Sequence, residues 1–333
     1  MRVFVTGGGG FIGSVVVREL CRRGDSVTGV VRGPQDGGLG HDGAVAIAGD
    51  LSDVDEITEQ VRGFDALIHL AGSYRVGIHR SERRAMWEAN VGATQRVLKA
   101  AVRGGIGRIV YISTVNVFGN TRGRYADERY VRDPRQGFLS WYDETKWQAH
   151  LIAIGHVDRG DSVMVALPGG VYGPGDRTQA GAQLRRAFDG TLKVSALDDV
   201  RLTWAHVDDI AAGILGVLDR GRIGESYILA GPGHSLREAI SVAAHLGGHR
   251  PPRVSVPTGL LRGVAPFTDR LGRTTQARLG LPGRLREAIS ASAGVTYLAT
   301  SAKARAELGF DARDLRTGLR DWFLGSPEHG AAG

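Results

Sequence analysis

The chain has 333 residues, 42% hydrophobic and 23% charged, which fits a soluble globular protein with one large α/β domain and a smaller companion lobe. Its net charge is +7, yet the positive residues are dispersed, with no run of five Lys or Arg and no zinc-finger or RNP-like string; a small anionic partner is expected, and a nucleic acid is not. The single cysteine, Cys21, excludes an intrachain disulfide, no run of 18 apolar residues predicts a membrane span, and no metal site is expected.

Val3–Thr6 reads as a short buried strand, Phe11–Arg23 as a helix, and Ser26–Arg32, Val45–Ala48 and Ala66–Leu70 as three more strands. Residues 2–5 run directly into a glycine loop, which leaves no room for a signal peptide, so a cytoplasmic location is expected. Residues 81–103 read as one long helix, followed by strands at Arg108–Ile112 and Ser162–Leu167. Continuous apolar strands separated by helices predict a doubly wound parallel sheet of Rossmann type, covered on both faces and joined by right-handed crossovers. Further on, Pro168–Asp176 reads as a Gly/Pro-rich loop, Val207–Leu218 as a helix and Ser226–Leu229 as a strand. From about Pro232, short helices and loops dominate, ending in an amphipathic helix at 314–324. The expected division is a nucleotide-binding domain over 1–170, to which 205–231 return, and a C-terminal substrate-binding lobe made of 171–204 and 232–333.

Thr6-Gly7-Gly8-Gly9-Gly10-Phe11-Ile12-Gly13 lies between the first strand and the first helix. Gly8, Gly10 and Gly13 satisfy G-x-G-x-x-G, and Gly7, Gly10 and Gly13 the wider G-x-x-G-x-x-G. Glycine is needed there for a tight turn, for close approach of the backbone to a pyrophosphate, and for hard packing of helix on strand. The helix N-terminus then offers free N–H groups and partial positive charge. A dinucleotide is therefore expected at Gly7, Gly10, Phe11, Ile12 and Gly13. An NAD site usually ends its second strand in an acid that accepts from the ribose 2′-OH. Here the strand ends Val30-Val31-Arg32, and Asp36 lies further out in a loop. Arg32 can pair with a 2′-phosphate, so NADP is expected, with NAD possible. Asp50 can accept from the adenine amino group or cap the next helix, a task better suited to Ser52 or Asp53.

Tyr142 and Lys146 stand four residues apart on one helix face. A phenol with a pKa near 10 is a poor acid at neutral pH, and a neighbouring ammonium is expected to lower it. Ser113-Thr114 ends the fifth strand, at the sheet edge where open α/β proteins hold ligands. A hydroxyl there can hold a carbonyl against Tyr142 and a nicotinamide.

Together these segments resemble the extended short-chain dehydrogenase/reductases, that is, the NAD-dependent epimerase/dehydratase family. The resemblance rests on Thr-Gly-x-x-Gly-x-x-Gly at 6–13, Gly-Asp-Leu at 49–51, His-Leu-Ala-Gly at 69–72, Asn90-Val91-x-x-Thr94, Tyr-Ile-Ser-Thr-x-x-Val-Phe-Gly at 111–119, and Tyr142-x-x-x-Lys146. Further matches are the run 168–176, His206-Val-Asp-Asp209 and the segment starting at Ser301. The resemblance implies Thr114, Tyr142 and Lys146 as the catalytic trio. It places Asp50, Leu51, Leu70, Ala71, Gly72, Asn90, Ser113, Pro168 and Val171 around the cofactor. It makes His206-Val-Asp-Asp architectural, with Asp209 capping or anchoring a helix.

Within the family the chain departs in two places. Nucleotide-sugar dehydratases carry Asp-Glu after the Thr, where this chain has Val115-Asn116, and valine transfers no proton. Many sugar epimerases carry Arg where this chain has Leu167. The ends of the second and sixth strands look more like the dihydroflavonol-reductase group. The resemblance thus implies NADPH-dependent reduction of a ketone or aldehyde of a small molecule. Ser73, Tyr74, Asn116, Trp141, Tyr172 and Arg177 are the expected substrate contacts, with Arg75 and Phe138 nearby, and the aromatics suggest a flat or apolar substrate. One rival is a nucleotide-sugar epimerase that keeps NAD bound, with Arg177, Arg185, Arg186 and Arg201 for a diphosphate. A cofactor-sensing protein without catalysis is disfavoured by the presence of both Tyr and Lys. The family also implies a homodimer formed through the helices at 81–103 and 140–157.

Overall fold

The computed structural model describes residues 1–31, 33, 43–257, 259–261, 263 and 285–325. In chain order the strands are β1 (Arg2–Thr6), β2 (Ser26–Val31), β3 (Val45–Ala48), β4 (Ala66–His69), β5 (Arg108–Ile112), β6 (Val163–Pro168), β7 (Gly170–Tyr172), β8 (Val194–Ala196), β9 (Arg201–His206), β10 (Ser226–Leu229), β11 (Gly233–Ser235), β12 (Val254–Val256) and β13 (Thr296–Tyr297). The α-helices are α1 (Phe11–Arg22), α2 (Val54–Val61), α3 (Arg83–Trp87), α4 (Ala93–Arg103), α5 (Trp141–Asp158), α6 (Gln179–Phe188), α7 (Val207–Arg220), α8 (Leu236–Leu246), α9 (Leu285–Ser292), α10 (Ala302–Leu308) and α11 (Leu315–Leu324).

Seven strands form one sheet in the order β10-β6-β5-β4-β1-β2-β3, all paired in parallel, which is the doubly wound Rossmann-type arrangement. Every residue of β4 and β6 is buried, because helices cover both faces. Side chains alternate between the two layers. Val3 and Val5 pack with Val16 and Leu20 of α1 and Ile210 and Ile214 of α7. Phe4 and Leu67 face Ile57 of α2, Leu98 of α4 and Ala149 of α5. Each fully buried Val, Leu, Ile or Phe stabilises the fold by roughly 1.5–3 kcal/mol. Strand order reverses between β1 and β4, so the connections leaving their carboxyl ends part in opposite directions and open a crevice there.

The second half builds its own layers. β11, β9, β13 and β7 form a four-stranded sheet, β12 pairs with β8, and α6, α8 and α11 close on a core that includes Tyr172, Leu184, Trp204, Ile240, Leu319 and Trp322. Asp209 of α7 ties the C-terminal segment down: Arg313 Nη2 donates to its Oδ1 at 2.6 Å and Arg313 Nη1 to Asp321 at 2.9 Å. His206 caps α7 by accepting from Asp208 N at 3.3 Å.

Three readings differ from the structure. The single helix expected over 81–103 is a 3-10 turn (Arg80–Glu82), α3, a π-helical stretch (Glu88–Gly92) and α4. The π stretch contains Asn90, whose buried carboxamide bonds the Ser73 backbone and Thr145; such insertions often mark functional positions. The Gly/Pro-rich run at 168–176 contains β7, held by parallel pairing with β9 rather than by local propensity. The region beyond Pro232, read as short helices and loops, also holds the strands β11, β12 and β13, and its helix α8 opens on a capping box of Ser235 and Glu238.

Candidate active site

One end of the crevice is made of backbone. Gly7 has φ +76°, and a Cβ there would stand 2.5 Å from Ala71 N. A Cβ on Gly13 would land on the Gly7 carbonyl oxygen. Gly10 is the N-cap of α1 and no side chain caps this helix, so its first N–H groups face the crevice with the positive end of the helix dipole. Phe11 and Ile12 are half-buried beside them. Leu70, Ala71 and Gly72 leave the end of β4 as the opposite wall. The cradle fits a dinucleotide pyrophosphate, because any side chain in it would fill it.

Under this loop lies a buried network. Thr6 Oγ1 meets His69 Nδ1 at 2.6 Å, and His69 Nε2 meets Thr94 Oγ1 at 3.0 Å. Burial, with the Lys146 charge, pulls the His69 pKa down to about 3, so the ring is neutral.

Towards the adenine side, Leu51 has φ +61°, unusual for a residue with a branched side chain, and Arg96 Nε donates to its carbonyl at 2.6 Å. Asp50 is exposed and accepts from Ser52 N at 2.9 Å, while Asp53 caps α2 by accepting from Asp55 N at 2.7 Å. Arg32 and Asp36 lie outside the described residues.

The other end is made of side chains. Ser113 and Thr114 follow β5, and Thr114 caps the 3-10 turn Val115–Phe118. Ser140 caps α5 by accepting from Asp143 N at 3.1 Å. That start places Tyr142, Lys146 and His150 on one face, turned to the end of β5. Lys146 Nζ donates to Ile112 O at 2.9 Å and to the Tyr111 hydroxyl at 3.3 Å. Tyr142 is buried beside Thr114 and meets the exposed Tyr74 edge-on with centroids 4.7 Å apart. Ser113 Oγ meets His150 Nδ1 at 3.1 Å.

The electrostatics differ from the expectation that Lys146 lowers the Tyr142 pKa. Burial raises the phenol well above its ordinary value, and the facing Tyr74 and Asp143 add to it. Burial also pulls Lys146 down to about 8 and His150 to about 4. Asp143 rises to about 6 for the same reason, although Asn116 and Tyr297 donate to it. Desolvation of an ion outweighs a like-sized attraction whose partner is bonded elsewhere.

The expected cofactor and substrate residues separate in space. Pro168 ends β6, buried, and Val171 lies half-buried on β7. Ser73 is fixed by Asn90, which accepts from its N–H at 2.6 Å and donates to its carbonyl at 3.1 Å. Trp141 Nε1 donates to Arg83 O at 3.1 Å, with the Arg83 guanidinium 4.8 Å from the centre of its ring. Asn116 is half-buried beside Thr114, and Arg177 is exposed. Tyr172 is corrected: its side chain is fully buried among Trp204, His206 and Trp322, so it packs the second lobe and forms no wall of the crevice.

Sequence reasoning missed four residues. His150 had a signal, since it is four residues beyond Lys146 on the same face. Tyr111, Asp143 and Tyr297 had none, because their roles depend on packing.

The fold and the glycine crevice define the class, a Rossmann-type NAD(P)-binding enzyme. The NAD dependent epimerase/dehydratase family model matches residues 3–230, and the chain belongs to that family. It is 30% identical to a Synechocystis sp. protein named as a dihydroflavonol 4-reductase, over 96% of this chain and 94% of that one. It is 29% identical to a Stigmatella aurantiaca enzyme named 4-hydroxy-2-methyl-3-oxo-4-farnesyl-3,4-dihydroquinoline-1-oxide ketoreductase, over 94% and 92% of the two chains. Among solved structures, MoeE5 in complex with UDP-glucose and NAD superposes with a TM-score of 0.74 at 26% identity, over 98% of each chain.

Proposed function

We propose that this protein reduces the ketone or aldehyde of a small molecule with NADP(H). The observation that carries the reading is the meeting of Thr114, Tyr142 and Lys146 at the carboxyl end of β5, with non-acidic Val115 and Asn116 next to the threonine. Relatives named as reductases support it.

A nicotinamide bound in the crevice supplies the hydride. Tyr142 Oη gives its proton to the carbonyl oxygen, and the Thr114 hydroxyl donates a hydrogen bond to the same oxygen as charge gathers there. The ammonium of Lys146 has three N–H donors; two are taken by Ile112 and Tyr111, and the third remains to hold a ribose hydroxyl. With a pKa near 8 it is mostly charged at neutral pH. Half-buried Val76 and Trp141, packed against Tyr142, suit an apolar or aromatic substrate. Arg32 is the reason to expect NADP rather than NAD.

The test is NADPH oxidation with a panel of ketones and aldehydes. Turnover by the wild type that is lost in Tyr142→Phe is expected; no nucleotide binding and no turnover on any panel member overturns the reading. A second reading, a nucleotide-sugar epimerase, draws support from the likeness to MoeE5, whose structure holds UDP-glucose and NAD. NAD released on denaturing the purified protein, with no net turnover, would favour it. A homodimer through α4 and α5 belongs to either reading. Leu151 of α5 is 44% exposed, as an interface residue would be in the free chain, and light scattering measures the mass.

A further inference from the structure

We propose that Asp143 is a positioning residue: its carboxylate decides which way the Asn116 carboxamide faces, and thereby where the Thr114 hydroxyl proton points. The catalytic half of this proposal rests on the carbonyl-reduction reading; the structural half does not.

Asp143 is 3% exposed, on the first turn of α5. Its Oδ1 accepts from Asn116 Nδ2 at 3.0 Å. Its Oδ2 is 3.3 Å from the Tyr297 hydroxyl, which also donates to Ala291 O at 3.1 Å. On its other side, Asn116 Oδ1 is 3.4 Å from Thr114 Oγ1. A carboxylate only accepts, so an ionised Asp143 compels the amide nitrogen to face it. The amide oxygen is then left to face Thr114, where it draws the hydroxyl proton away from a substrate carbonyl.

Protonation reverses the logic. A carboxylic acid can donate to the amide oxygen, which frees the amide to turn. Its Nδ2 then donates to Thr114 Oγ1, and the Thr114 proton is released towards the carbonyl. Oδ2 carries no proton in that state and can still accept from Tyr297, whose one proton it shares with Ala291 O. The groups facing Asp143 are Tyr142 on its own helix, Tyr297 of β13, Tyr74 from the segment after β4 and Arg132 from the segment before α5. Arg132 favours the charged form and burial opposes it, which places the carboxyl near pH 6.

Two measurements decide it. Carbon-13 NMR of labelled aspartate, assigned by the signal lost in Asp143→Asn, follows the carboxyl directly and needs no substrate. A wild-type titration near pH 6 that moves up by at least half a unit in Asn116→Ala is expected; an identical titration in both overturns the coupling. The second measurement is the pH profile of kcat/KM for NADPH oxidation, using the panel ketone that turns over fastest. The wild type is expected to rise towards acid with a break near 6. Asp143→Asn, whose carboxamide donates to Asn116 Oδ1 as the protonated acid does, should lose the break and hold kcat/KM at about the wild type's acid-side level up to pH 8, while leaving KM for NADPH unchanged. A break that persists in Asp143→Asn overturns the catalytic half. If no ketone is turned over, the reduction reading fails, and the NMR result still decides whether Asp143 orients Asn116. A melting temperature within a few degrees of wild type shows that the variants fold.

Discussion

The two ends of the crevice are built from different materials. At the pyrophosphate end the working parts are backbone N–H groups and absent side chains, Gly7 and Gly13 above all. At the other end they are side chains from three separate elements: the end of β5, α5 and the segment after β4. The first end works by steric exclusion and is all or nothing. The second works through burial and hydrogen-bond direction, so its properties are graded and respond to pH.

The largest effect should come from breaking the backbone end. Gly13→Val puts carbon on the Gly7 carbonyl, so isothermal titration should show nucleotide binding weakened by roughly 100-fold or more, about 3 kcal/mol. Full affinity in that variant would mean that the pyrophosphate sits elsewhere. At the side-chain end, Tyr142→Phe should lower turnover by roughly 100- to 10,000-fold while leaving NADPH affinity within about twofold. Parallel losses in both quantities would erase the distinction between the two ends.

The electrostatic half of the comparison is sharpened by acid. His69 and His150 are held at about 3 and 4 in the folded chain, against an ordinary value near 6.5. The unfolded chain therefore binds protons first as pH falls below 6.5, and stability drops by roughly 1 kcal/mol per pH unit for each histidine. Asp143 has the opposite sign. Its raised value of about 6 means that its protonated form favours folding, a benefit lost as pH rises from about 4 through 6. Thermal melts of His69→Gln between pH 7 and 5 should show a flatter slope than wild type; equal slopes would remove His69 from the account. The smallest effect should come from a cap outside both ends: Asp53→Ala should cost about 1 kcal/mol in denaturant unfolding and leave binding and turnover alone.

Legibility followed the same division. The glycine loop was readable because its requirement is local: a glycine stands wherever a Cβ has no room, and the strand before it and helix after it are written in adjacent residues. The seven-stranded sheet was readable in the runs at Val3, Ala66 and Arg108 for a related reason, since a strand buried on both faces is continuously apolar. Helix α5 shows where pattern stops helping. It buries Asp143, Thr145, His150 and His156 beside Tyr142, Ala149 and Ala153, so its inner face mixes polar and apolar residues. The π-helical break at Asn90 left no mark that a helical period could register. The second lobe was read poorly because its short strands are held by pairings such as β7 with β9, made between residues more than thirty apart.

The sequence by itself determined the fold class and the glycine loop and marked Thr114, Tyr142 and Lys146 as candidates, because each stands in a pattern carried by one turn, strand or helix. Only the tertiary structure decided that Tyr172 is core, that Lys146 is held by Ile112 and Tyr111, and that Asp143 is a buried carboxyl bonded to Asn116 and Tyr297. Those outcomes turn on desolvation and on which donor meets which acceptor. Both are set by residues far apart in the chain, and Asp143 and Tyr297 are 154 positions apart.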